Sequence, residues 1–198
     1  MPVSMGDILD RAGAFFMGRS PQHATLRRIA AELDELGIPY VIAGAMAVNA
    51  HGHERTTADV DVLMTREGLA AFKDRWLGRG WVDAFPGSKG MRDTQDNVRI
   101  DVLLAGDFPG DGKEKPVAFP DPRTAGEPSA EGWPVLPLRT LIELKLASAM
   151  TAPHRPRDYD DVIQLIRVNR LPEAYEVHPY VADKYREMWK LAQVHEDG

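Results

Sequence analysis

Two aspartates, Asp59 and Asp61, stand in a stretch that alternates with a period of two: Asp59, Asp61 and Leu63 on one side, Val60, Val62 and Met64 on the other. That is the pattern of a strand with one apolar face. Both carboxylates therefore leave the same surface, with origins about 7 Å apart, and can converge on one cation. Residues 97–104 alternate again, with Val98, Ile100, Val102 and Leu104 facing one way and Arg99 and Asp101 the other. If the two strands are neighbours, Asp101 is a third acid on the shared surface. Clustered carboxylates repel one another, so the trio predicts a cation between them. The chain has no cysteine, which leaves oxygen ligands suited to Mg²⁺ or Mn²⁺. Such an ion neutralises phosphate charge and eases formation of an alkoxide nucleophile. Taken by itself, Asp-x-Asp on a half-exposed strand is most often just its solvated face.

The surroundings sharpen the reading. Gly44 follows the apolar run Tyr40-Val-Ile-Ala43 and precedes Ala45-Met-Ala-Val-Asn-Ala50, a strand, turn and short helix whose first N–H groups can cradle a phosphate. Arg55-Thr56-Thr57 leads into the acidic strand and offers a cation and hydroxyls where phosphate would sit. Lys145 falls on the apolar stripe formed with Leu138, Leu141, Ile142 and Ala149. A lysine there needs an anionic partner, or else its stem packs inward while the amine reaches solvent. Asp158, Asp160 and Asp161 stand where a helix begins, so Asp158 and Asp161 read as a capping pair. Asp161 can also hold Lys145 or Arg157. Arg155 and Arg157, either side of Pro156, are placed to touch an acceptor or a nucleotide tail. His51 and His53 have no third ligand nearby and read as polar loop residues. The four tryptophans read as packing groups.

The elements that must position these residues follow from periodicity. Leu26, Ile29, Leu33 and Leu36 predict a helix over 22–36, stopped by Gly37 and Pro39. Another helix carries Leu69, Phe72 and Trp76, and a short strand follows at 81–85. Glycines and prolines between 105 and 134 predict loops around one or two short strands. Helices are expected over 138–150 and 158–169, with a last one carrying Val181, Tyr185, Met188 and Trp189. Strands first and helices last suggest an α+β body, with a core over 1–137 and a helical segment over 138–198 packed on the same unit. At 198 residues, one sizeable core is what the chain can bury. A net charge of −6 argues against a non-specific nucleic-acid binder. No apolar run approaches membrane-spanning length, and the acidic N-terminus does not look like a signal peptide, so a cytoplasmic location without membrane contact is expected.

The stretch from Ile42 through Gly44, Ala45, Arg55, Asp59 and Asp61 resembles the signature of the nucleotidyltransferase superfamily, a small-residue turn followed by Asp-x-Asp. It looks most like the minimal nucleotidyltransferases of the abortive-infection toxin type, with their Arg-Thr-x-Asp-x-Asp string. Val98-Arg-Ile-Asp101 resembles the third-carboxylate strand, and the lysine helix followed by Arg157-Asp158-Tyr-Asp-Asp161 completes the order of pieces over roughly residues 33–165. The resemblance implies a polymerase-beta-like fold, a short mixed sheet flanked by helices with a C-terminal helical lobe. It implies that Asp59 and Asp61 bind metal, that Asp101 completes the metal site, and that Gly44, Ala45, Arg55, Thr56, Lys145 and Asp161 serve the nucleotide. A nucleoside triphosphate would be the donor, Mg²⁺ or Mn²⁺ the cofactor, and RNA such as a tRNA end, a protein or a small molecule the acceptor. A toxin-like role would bring a cognate antitoxin as partner. Ala45 departs from the second glycine or serine usual there. That departure keeps open a catalytically silent binding or toxin-neutralising protein, and a glycosyltransferase using Asp-Val-Asp ranks last.

Overall fold

The computed structural model describes residues 4–194. The chain opens with α1 (Met5–Phe16), begun by a capping box in which Ser4 and Asp7 satisfy each other's backbone N–H groups. Only an apolar start was legible in the sequence there. α2 (Pro21–Glu35) begins at an N-cap serine, Ser20, followed by proline. It ends in a Schellman turn: the Ile38 N–H reaches Leu33 O, the Gly37 N–H reaches Asp34 O, and Gly37 takes φ +61°.

β1 (Tyr40–Ile42) is wholly buried and leads into α3 (Gly44–Ala50). β2 (Asp59–Met64) carries the acidic pair, and α4 (Arg66–Trp76) returns the chain to the sheet edge, capped by Thr65. β3 (Trp81–Asp83) and β4 (Met91–Asp93) form a hairpin against β5 (Arg99–Leu104). β4 escaped the sequence because Met91-Arg-Asp93 buries its acid. Asp93 is fully enclosed, pairs with Arg28 and accepts the Thr25 hydroxyl at 2.6 Å, which ties the strand to α2. The Gly/Pro-rich stretch contributes α5 (Pro122–Ala125), β6 (Glu127–Pro128) and β7 (Pro134–Val135).

The seven strands form one mixed sheet in the order β3-β4-β5-β2-β1-β7-β6. β2 lies at its centre, antiparallel to β1 and parallel to β5. Three helices follow: α6 (Leu138–Thr151), α7 (Pro156–Val168) and α8 (Pro179–Ala192). They pack on one another, and α6 also packs on α3. α6 is enclosed nearly all round, with Leu141, Ile142, Leu144, Leu146, Ala147 and Ala149 buried. Lys145 therefore sits inside a buried helix, whereas the sequence suggested a single apolar stripe. No helix among the described residues is long and apolar enough to cross a membrane.

Candidate active site

The register between β2 and β5 sets Asp61 directly opposite Asp101 and Asp59 opposite Arg99. Val60, Val62, Ile100 and Val102 turn inward and are buried, which leaves Asp59, Asp61 and Asp101 together on the other face, each half-buried. The apolar alternation thus presents the acids: a one-residue slip of either strand would bury them and expose the valines. Leu63 continues their face but is fully covered, so the acidic surface ends there.

Gly44 closes the site from the side. Its φ is +56°, and a Cβ added there would lie 1.8 Å from Asp61 Oδ2. The glycine is therefore required twice, for a left-handed backbone and for the space that the Asp61 carboxylate occupies. The sequence suggested a phosphate-cradling turn at Gly44; the observed contact is with the carboxylate. Ala43 caps α3 without any side-chain bond, and Ala45 is buried at the start of the helix. Thr56 is exposed on the approach to β2, and the Thr57 hydroxyl donates to Asp59 Oδ1 at 2.5 Å.

Burial raises the Asp61 pKa to about 7, and the charges of Asp59 and Asp101 push the same way, against the opposing pull of Lys145 and Arg155. Arg155, the N-cap residue of α7, is thus brought close enough to act on Asp61. The donor chemistry of three carboxylates fits a divalent cation, which would relieve the repulsion that burdens Asp61. As they stand, Asp59 engages Thr57, and Asp101 lies 2.7 Å from the Arg99 guanidinium. Among the described residues, no three His, Asp or Glu side chains converge as a ready-made ion shell. Each of those contacts uses the Oδ1 atom alone and leaves the Oδ2 atom of the carboxylate for a cation.

A second cluster backs the first. Lys145 is 7 % exposed and donates to Asp161 Oδ2 at 2.6 Å and to Asp158 Oδ1 at 3.1 Å. Asp161, 1 % exposed, also receives Arg55, whose Nη2 donates to Oδ2 at 2.9 Å while Nε lies 2.7 Å from Oδ1. Burial alone would raise the Asp161 pKa, yet Lys145 and Arg55 together hold it below the ordinary value. The Lys145 amine therefore does not reach out to solvent. The capping pair is corrected as well: α7 starts at Pro156 and has no side-chain cap, so Asp158 and Asp161 serve as counter-ions to Lys145. Arg55, expected at a triphosphate, is occupied by Asp161.

The loop that carries Arg55 is fixed by Asn49, which the sequence did not single out. Its amide donates to Arg55 O at 2.9 Å and accepts from Arg55 N at 2.8 Å. His51 contacts the Leu136 carbonyl at 2.7 Å. Trp81 is buried against Phe72 with ring centroids 5.7 Å apart, the packing role expected of it.

This mixed sheet with its helices is the nucleotidyltransferase fold. The structure is similar to a crystal structure of ANT(2'')-Ia in complex with adenylyl-2''-tobramycin, with a TM-score of 0.53 and 15% identity, covering 86% of this chain and 98% of that chain. A solution structure of the antibiotic-resistance factor ANT(2'')-Ia aligns with a TM-score of 0.40 and 18% identity, covering 84% of this chain and 80% of that chain. The sequence matches no protein-family model and no curated protein.

Proposed function

We propose that the protein is a metal-dependent nucleotidyltransferase that moves a nucleoside monophosphate from a nucleoside triphosphate to an acceptor hydroxyl. The observation that carries this reading is the β2–β5 register, which puts Asp61 beside Asp101 with Gly44 pressed against the Asp61 carboxylate. Asp59, Asp61 and Asp101 would hold Mg²⁺ or Mn²⁺. When bound, the ion supplies charge neutralisation at the phosphates and a lower cost for the attacking oxygen. Without a cation, burial and the charges of Asp59 and Asp101 keep the Asp61 pKa raised to about 7, and a bound cation would favour its ionised form.

Lys145 balances the negative surface from behind, and Asp158 and Asp161 keep its amine in place. Arg155 supplies further positive charge near Asp61 and, exposed on the turn before α7, is free to meet a phosphate tail, while Arg55 stays paired with Asp161 on the approach to β2. Gly44, Ala45 and Thr56 form the nucleotide side of the site. The helices over 138–198 act as a lobe that closes on it.

For the acceptor, a small polyhydroxylated molecule is preferred to RNA or protein. The likeness to a structure holding adenylyl-2''-tobramycin supports it, and the net charge of −6 disfavours RNA. A toxin-type activity on tRNA or protein is the second reading, supported by the Arg-Thr-x-Asp-x-Asp string.

The test is incubation with each α-labelled nucleoside triphosphate and Mg²⁺ or Mn²⁺, with an aminoglycoside panel, total tRNA or a protein lysate as acceptor, comparing Asp61→Ala. Label transferred to an aminoglycoside, lost on chelation and lost in the variant, is the expected result. Transfer to tRNA or protein would select the second reading. No metal-dependent nucleotide binding and no Asp61-dependent transfer would leave a silent member of the fold.

A further inference from the structure

Away from the acidic face lies a cavity of about 160 Å³. α3 separates the two places: Gly44 touches Asp61, while Ala50, at the other end of the helix and about 9 Å along its axis, lines the cavity. Its walls are aromatic and aliphatic, with Phe15 and Phe16 from the end of α1, Trp133 before β7, and Leu26 and Met46 from α2 and α3. The two phenyl rings stand edge to face at 5.7 Å.

Glu54 and Glu131 bring two exposed carboxylates to the lining, where they meet no lysine or arginine side chain, and Asn49, His23 and Ser129 are its other polar residues. Burial, helped by the nearby Arg27, pushes the His23 pKa below the ordinary value against the pull of Glu131. The Ser129 hydroxyl, also in the lining, is enclosed and has no hydrogen-bond partner. An enclosed hydroxyl left unpaired is costly unless something else meets it.

A space of this size admits a single aromatic ring. Aromatic faces combined with carboxylates are the chemistry that recognises an ammonium group. The geometry points to a binding site for a small organic cation, a protonated amine or quaternary ammonium on a body about the size of one aromatic ring. The ring fills the space between Phe15, Leu26 and Trp133, the charged end meets Glu54 and Glu131, and Ser129 gains a partner. The site stands apart from the proposed catalysis and does not depend on it.

Three probes of similar size separate the contributions: 2-phenylethylammonium, phenylacetate and benzyl alcohol, titrated into the full-length protein while tryptophan emission is followed. The cation is expected to change the emission saturably, with the response lost in Trp133→Phe, and to bind at least ten times more tightly than the neutral or anionic probe. Replacing both exposed acids, Glu54→Gln with Glu131→Gln, is expected to weaken the cation about tenfold and leave benzyl alcohol unchanged. Equal binding of all three probes, no saturable response, or a response that survives in Trp133→Phe would overturn the proposal. Displacement of the cation by ATP with Mg²⁺ would also overturn it, by assigning the cavity to the nucleotide.

Discussion

Asp61 and Asp161 are both aspartates withdrawn from water, and they are held in opposite electrostatic states. Asp161 is almost completely enclosed, yet its charge is stabilised because Arg55 and Lys145 both point at it. Asp61 keeps more access to solvent, yet its charge is opposed, because burial, Asp59 and Asp101 all act against it while Lys145 and Arg155 compensate only in part. Burial by itself decides neither outcome; the company of charges does. The satisfied cluster holds the helices against the strand-bearing core, and the unsatisfied one is where an added cation changes most. Asp161 is held as a counter-ion to Arg55 and Lys145, and under the proposed function Asp61 is the acid that meets the cation.

The largest effect expected from this contrast is at Asp161. Asp161→Ala leaves Arg55 and Lys145 facing each other without their carboxylate and should cost about 3–5 kcal/mol, read as a lower denaturation midpoint. A loss under about 1 kcal/mol would erase the contrast.

Asp61→Asn should act in the opposite direction on the metal-free protein. A carboxyl with a raised folded pKa is held protonated by the fold, so its ionisation costs stability as pH climbs from its unfolded value toward about 7. The amide removes that cost. The variant should therefore exceed the parent by roughly 2 kcal/mol at pH 8, allowing for the water that screens this half-buried group, with the gap closing toward pH 4. Parallel stability curves against pH would show that Asp61 is not under strain.

Gly44→Ala should cost about 1–2 kcal/mol from the left-handed backbone alone. It should weaken divalent-cation binding more than its stability loss explains, because the new methyl displaces the Asp61 carboxylate. Calorimetric titration of Mn²⁺ alongside thermal unfolding distinguishes the two effects. Smallest of the set is Asn49→Ala, which removes the clamp on Arg55 and should cost about 1 kcal/mol in thermal unfolding.

The acidic face was legible because strand alternation is a two-residue rule: Val60, Val62, Ile100 and Val102 identify the inner face, and Asp59, Asp61 and Asp101 fall on the other by subtraction. The helices α2, α4, α6, α7 and α8 were legible from their apolar spacing. β4 was not, since its inward residue Asp93 is an acid whose burial depends on Arg28, sixty-five positions away. Nor was the task of Arg55, which is separated from Asp161 by 106 positions and meets it only once α7 has docked. Local pattern reports which face a residue takes. It does not report which distant charge arrives there.

The central claim is that Asp59, Asp61 and Asp101 share a divalent cation in front of a nucleotide. Electron paramagnetic resonance of Mn²⁺ titrated into the protein with a non-hydrolysable α,β-methylene nucleoside triphosphate measures this directly. The account predicts that the parent protein lowers the free-ion signal saturably below the level set by the same nucleotide alone, which itself chelates Mn²⁺, and that a correctly folded Asp61→Asn variant leaves it at that level. Equal Mn²⁺ binding by the two proteins, or none by either, would contradict it.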